Sequence, residues 1–153
     1  MTGYLLDTNV ISAFAPGKAM VSSEVAAWFE VQTDRLFLSP ICIIEIEAGI
    51  AKLRRGGAVH RADRLTAWFD RLLGLYGSKV LMLDQAVARV AGAITDRARA
   101  SGNNPGLADI AIAATAAVHG LMVLTRNREH FEPLGVMHFD PFADMLPPTR
   151  PLN

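Results

Sequence analysis

The sequence predicts an α/β fold, a single domain whose central parallel sheet of four to five strands is flanked by helices, on three observations. Short apolar runs of strand length alternate along the chain with longer stretches of helical periodicity, the pattern of strands joined by helical crossovers. At 153 residues the chain can bury one substantial core and no more. The first apolar run, Tyr4-Leu5-Leu6, ends in Asp7-Thr8-Asn9. That puts a carboxylate at the carboxyl end of a strand, where open α/β sheets place their chemistry.

The elements follow in order. After Asp7 a short helical turn closes near Ala15-Pro16-Gly17, and Ser22-Ser23 caps a helix with Val25, Trp28 and Phe29 on one face. Leu36-Phe37-Leu38 forms the second strand. Ser39 is an N-cap followed by Pro40 at the first helical position, where a missing N–H costs nothing. The helix from Ile41 to about Arg55 is nearly all apolar in its first half, which predicts a buried element containing Glu45, and Gly56-Gly57 stops it. An amphipathic helix spans about Ala58 to Tyr76, with Leu65, Trp68, Phe69, Leu72 and Leu73 at helical spacing. Val80 to Leu83 is expected as a short strand, Asp84 as the cap of a helix reaching Ala100, and Ser101 to Gly106 as a break. An Ala-rich helix from about Leu107 to Val118 leads through Gly120 into the strand Leu121 to Leu124, and Val136 to Phe139 is expected as a last short strand. The boundaries expected are one domain over 1–142 and a Pro-rich tail over 143–153, extended or disordered after Asp140.

Lys+Arg and Asp+Glu number 15 each, so no strong global field selects a partner, although a local basic stripe still serves for phosphates. One cysteine, Cys42, cannot form an internal disulfide and reads as a small core residue. With no charged leader before a long apolar stretch and no run of membrane-span length, a reducing cytoplasm is the expected location, with no membrane contact.

Three carboxylates interrupt apolar segments: Asp7 at the strand end, Glu45 in Ile43-Ile44-Glu45-Ile46, and Asp109 in Leu107-Ala108-Asp109-Ile110. Burial and mutual repulsion raise the pKa values of such acids unless a cation neutralises them. A hard divalent cation with oxygen ligands answers that need, and no His pair or Cys cluster offers a zinc site instead. Each acid also has an ordinary structural role open to it. Asp7 and Asp109 could cap helices, and Glu45 could pair with Lys52 or Arg55. His60, His119, His130 and His138 share no motif and read as surface or structural residues. Trp28, Trp68, Phe69 and Phe131 read as packing. Lys52, Arg54, Arg55, His60, Arg61 and Arg64 form the densest basic run.

Leu5-Leu6-Asp7-Thr8-Asn9-Val10, Ser39-Pro40-Ile41 leading to Glu45 and Gly49, Ala108-Asp109-Ile110-Ala111 with its Ala-rich continuation, and Leu124-Thr125-Arg126-Asn127 together resemble the PIN-domain ribonucleases. The likeness runs from about Tyr4 to Phe142 and is to the VapC-type toxins of toxin–antitoxin pairs, in the FitB-like branch. Phe139-Asp140-Pro141-Phe142 is similar to an ending that recurs there. The resemblance implies that Asp7, Glu45 and Asp109 bind Mg²⁺ or Mn²⁺, that Thr8 and Asn9 line the site, and that Asn127 stands where many relatives carry a fourth aspartate. His130 stands where another aspartate is frequent, and Glu129 is a candidate substitute.

The implied activity is metal-dependent endonucleolytic hydrolysis of RNA leaving a 5′-phosphate, with Arg126, Thr8 and Asn9 as RNA or phosphate contacts. The implied partners are RNA, a second copy of the chain, and a small VapB-like antitoxin that inserts a basic segment among the acids. Two rivals belong to other classes. A haloacid-dehalogenase type of phosphoryl transfer wants a second aspartate two residues after the first, where this chain has Asn9. A degenerate PIN module acting as a non-catalytic binding or regulatory protein is compatible with Asn127 and His130.

Overall fold

Leu5 is fully buried, and the sheet is built outward from the strand that carries it. The computed structural model describes residues 3–148. Strand β1 (Tyr4–Leu6) is central, paired in parallel with β2 (Leu36–Phe37) on one side and β3 (Met122–Leu124) on the other. Strand β4 (His138–Phe139) extends the sheet beyond β3, giving the order β2-β1-β3-β4 with every pairing parallel. The register sets Leu5 opposite both Phe37 and Val123, and Leu6 opposite Leu124. Parallel strands gather their carboxyl ends at one edge, so Asp7, Ser39, Thr125 and Asp140, which follow the four strands, leave the sheet on the same side.

Helices connect the strands as the alternation predicts. They are α1 (Thr8–Ser12), α2 (Ser23–Val31), α3 (Pro40–Arg55), α4 (Val59–Tyr76), α5 (Gln85–Ala100) and α6 (Leu107–His119), with the single turn α7 (Arg128–Phe131) after β3. Helix α3 packs on α4, and α5 on α6. The expected caps are in place. Ser22, Ser39 and Asp84 accept backbone N–H bonds from Val25, Ile41 and Val87, at 3.3, 3.2 and 3.0 Å. Helix α6 ends at Gly120, whose φ of 64° is a left-handed conformation that glycine adopts without strain. The tilted pair Trp68 and Phe69, together with Trp28 and Phe131, belongs to the packed interior as expected.

Two expectations are corrected. Residues 80–83 form no strand: Val80 makes a single parallel bridge to Leu38, and Met82 and Leu83 are exposed. Val80 and Leu81 pack against the core, but nothing covers Met82 and Leu83, and the chain turns at once into the cap of α5. Helix α3 is not buried through its first half. Only Cys42, Ile46 and Ile50, spaced four apart, form its inward ridge, while Ile44 is 62% exposed. The segment after Asp140 is irregular but anchored up to residue 148. Trp28 Nε1 donates to the Pro147 carbonyl at 3.0 Å, Arg128 pairs with Asp144 at 2.8 Å, and Leu146 packs against the core. Residues 149–153 of the expected tail lie outside the described residues. Among the described residues no helix is long and apolar enough to cross a membrane.

Ser39 is fully buried and starts the helix that carries Glu45. Ser39→Ala should therefore cost about 1 kcal/mol, read as a lower urea midpoint at unchanged slope.

Candidate active site

Asp7 is the first residue past β1, with its backbone N–H still in the sheet ladder, donating to the Leu124 carbonyl at 2.9 Å. It caps α1, its Oδ1 accepting the Thr8 N–H at 2.7 Å, so the capping role open to it in the sequence is one it fills. Its other oxygen, Oδ2, accepts the Thr125 hydroxyl at 2.7 Å. Thr125 is fully buried just past β3, and its Oγ1 in turn accepts the Asn127 N–H at 3.0 Å and a long contact from Asn9 Nδ2 at 3.5 Å. Asn9 Oδ1 accepts the Arg126 N–H at 3.0 Å. The segments leaving the two central strands are thus latched to each other by side chains.

Glu45 reaches the same place from α3, its Oε1 accepting the Thr8 hydroxyl at 3.2 Å. It pairs with neither Lys52 nor Arg55. It is exposed rather than set inside an apolar surface, because it lies about 100° around the helix from Ile46 and off the inward ridge. Asp109, in the first turn of α6, is partly buried and does not cap that helix, whose N-cap is Gly106. Its Oδ2 lies 3.2 Å from His130 Nδ1. Asp7 is 6% exposed, and its carboxyl is held above its ordinary pKa chiefly by burial. The Thr125 and Thr8 hydrogen bonds oppose that rise, while the charges of Asp109 and Glu45 add to it. Asn127 is exposed, and its side chain makes no cap bond to the turn that it begins. Glu129 and His130 line a cavity of about 240 Å³ with Asp109. Cys42 sits beneath, donating to the Leu6 carbonyl at 3.1 Å, its thiol pushed up to about 12 by burial and therefore inert at neutral pH.

The charges of Glu45 on α3 and Asp109 on α6 act on Asp7 at the end of β1, and among the described residues no lysine or arginine is within ion-pair distance of any of the three. That donor set is hard oxygen, without a lysine or arginine partner and partly dehydrated, which suits a divalent cation such as Mg²⁺. The described residues hold no compact cage of three or more His, Cys, Asp or Glu side chains. The fit is to an ion that keeps waters and completes its shell with substrate oxygens.

Thr125 was not singled out for this site in the sequence. Thr125 reads there as one more small polar residue after a strand, and the only available signal was its place two residues before Asn127. His130, read as surface or structural, faces Asp109. The basic run lies elsewhere: Arg54 is tied to Asp63 at 2.8 Å, and Lys52 is about 10 Å along α3 from Glu45.

Because the folded-state pKa of Asp7 is raised, its contribution to stability is present while it is protonated and is lost as pH rises through that pKa. In metal-free protein Asp7→Asn should therefore melt higher than the parent at pH 7, and the gap should close as pH falls towards 4, followed by differential scanning calorimetry. Thr125→Val removes a bond that lowers the same pKa. The acid limb of any cation-dependent property, followed by a pH titration of Mg²⁺ affinity, should move to higher pH in this variant and return with Thr125→Ser.

The PIN domain family model matches residues 4–134. VapC ribonuclease Y4jK of Sinorhizobium fredii is 36% identical over 143 residues, covering 90% of this chain and 96% of that protein. Toxin FitB of Neisseria gonorrhoeae is 34% identical over 144 residues, covering 92% and 99%. The crystal structure of FitAcB from Neisseria gonorrhoeae superimposes with a TM-score of 0.75 at 32% identity, covering 92% of this chain and 99% of that one. With a matching family model over most of its length and relatives of this identity along nearly all of it, the chain belongs to the PIN-domain family, among the VapC and FitB proteins.

Proposed function

We propose that this protein is the toxin of a type II toxin–antitoxin pair, an endoribonuclease that hydrolyses RNA phosphodiester bonds with a divalent cation and leaves a 5′-phosphate. The observation that carries the reading is the buried Asp7 with Asp109 and Glu45 acting on it and, among the described residues, no lysine or arginine to neutralise them. Membership of a family with a ribonuclease and a toxin among its relatives supports it.

The catalytic set is Asp7, Glu45, Asp109 and Asn127. Asp7 and Asp109 would hold the cation, Glu45 directly or through a water, with Mg²⁺ as the ion and Mn²⁺ as a substitute. A bound dication supplies electrostatic stabilisation of the charge that develops on the scissile phosphate. The chain's own residues do the positioning. Thr125 and Thr8 fix both Asp7 oxygens, Thr8 Oγ1 orients Glu45, and Asn127 offers a neutral amide at the rim. Arg126, Thr8 and Asn9 are the nearest groups for phosphate. The protein is cytoplasmic and homodimeric in this reading, and the nuclease unit spans 1–142, ahead of a 143–153 tail. Its antitoxin is a small VapB-like protein with a basic segment complementary to the acids.

A non-catalytic PIN module is the second reading, and the contact of His130 with an oxygen of Asp109 is what favours it. Isothermal titration with Mg²⁺ separates the two: the nuclease binds the ion in a manner abolished by Asp7→Asn, and the relic does not bind it.

On single-stranded RNA, Asp7→Asn, Glu45→Gln and Asp109→Asn should each lower the cleavage rate by at least about 10²–10³-fold, as should EDTA on the parent. Asn127→Ala should cost about tenfold or less, as for one neutral hydrogen bond. Full activity of Asp7→Asn in purified protein would refute the assignment.

A further inference from the structure

Beside the acids, and separated from them by Asn9, lies an open groove of about 500 Å³ whose lining includes Asn9, Ser12, Lys18, Met20, Arg126 and Phe142. Its chemistry is the opposite of the site's. Lys18 and Arg126 are both exposed, and among the described residues neither has a carboxylate partner, although Arg54, Lys79 and Arg128 elsewhere in the chain do. The Arg126 guanidinium lies over the Phe142 ring, 5.4 Å from its centroid, while its backbone N–H is held by Asn9. Phe142 is itself set by Phe14 and Phe29, with centroids 6.2 and 6.4 Å away. Met20 stands at the mouth, 98% exposed.

We propose that this groove is a subsite for one unpaired nucleotide of the RNA next to the cut, with Lys18 and Arg126 on its phosphate and Phe142 and Met20 against its base. The inference rests on the nuclease reading and adds to it where the strand runs and what selects the cut. Two exposed cations without a carboxylate partner ask for an anion, and the half-buried Phe142 ring, with the Arg126 guanidinium laid on it and a flexible thioether beside it, offers a platform for a planar group. A nucleotide splayed out of a single strand carries both, at the spacing of one phosphate and its own base. A basic protein segment would meet Lys18 and Arg126 as like charges, so RNA rather than a protein partner is the occupant. The latch also sets direction. Asn9 bonds both Arg126 N–H and Thr125 Oγ1, so a phosphate drawn to Arg126 lies on the chain segment that positions Asp7.

The test uses the full-length chain carrying Asp7→Asn, so that RNA is bound and not cut, with a fluorescent single-stranded RNA pool of random sequence as the probe. Lys18→Glu should weaken binding by about tenfold and reduce the salt slope by about one, whereas Lys52→Glu, on the far part of α3, should do neither. Phe142→Leu, which keeps the apolar packing, should weaken binding by about tenfold with the salt slope unchanged. In the chain with Asp7 intact, mapped RNA ends should lose their base preference at one position beside the cut in Phe142→Leu. Equal losses from Lys18→Glu and Lys52→Glu would overturn the subsite. So would parental affinity and parental cut sites in both groove variants, or parental RNA affinity in a Lys18→Glu chain that sheds a co-expressed antitoxin. If Phe142→Leu fails to fold, as judged by its melting curve, the Lys18 and Lys52 pair decides alone, since both side chains are exposed. A chain that binds RNA in the Lys18-dependent way and never cuts it keeps the subsite and removes the nuclease; a chain that cuts RNA indifferently to Lys18 and Phe142 does the reverse.

Discussion

Asp7 has to be kept charged, or nearly so, in a place that disfavours charge, and the Thr125 hydroxyl is the group that makes this tolerable. Burial raises the carboxyl's pKa, and two neighbouring acids raise it further. Against them stand two hydrogen bonds of 2.7 Å, one to each oxygen. A carboxylate whose oxygens are both bonded is fixed in orientation as well as stabilised. The cost of that arrangement is a local loss of folding stability at neutral pH, which is the usual relation between a site and its scaffold.

The same bond depends on the order of the sheet. Thr125 can meet Asp7 only because β3 lies immediately beside β1 in parallel, although well over a hundred residues separate them in sequence. The crossover helices supply the other two acids. Helix α3 starts at a buried serine cap and presents Glu45 beside its inward ridge, and α6 presents Asp109 in its first turn. The buried faces of these helices fix where the acids project, so packing far from the edge determines geometry at it.

A chain with 15 basic and 15 acidic residues has no net charge to steer a polyanion, and its charges are segregated instead. Among the described residues the acids at the strand edge have no lysine or arginine partner, Asp109 meeting only His130, and the groove across Asn9 carries cations without acidic partners. Opposite fields one residue apart suit a ligand that is itself divided, with a phosphate to be cut and neighbouring phosphates to be held. The densest basic run in the sequence contributes less than its composition suggests, because Arg54 is committed to Asp63 and the run stands well along α3 from Glu45.

Much of this was legible in the sequence, because caps, glycine stops and apolar periodicity are local. Ser22, Ser39, Asp84 and Gly120 mark their helix ends from composition alone, and the four strands follow from apolar runs bounded by polar residues. Where the reading erred, it treated apolar composition as burial. Ile44 and Met82 are apolar yet exposed, since whether a face is covered depends on what packs there from elsewhere in the chain. The sequence by itself determined the fold class, the helix boundaries and the three unusual carboxylates, each written in residue type and spacing. Only the tertiary structure decided that Thr125 bonds Asp7, that His130 faces Asp109, and that Lys18 shares a groove with Arg126. Those are contacts between distant segments, and sheet order and helix packing, rather than neighbouring residues, bring their atoms within reach.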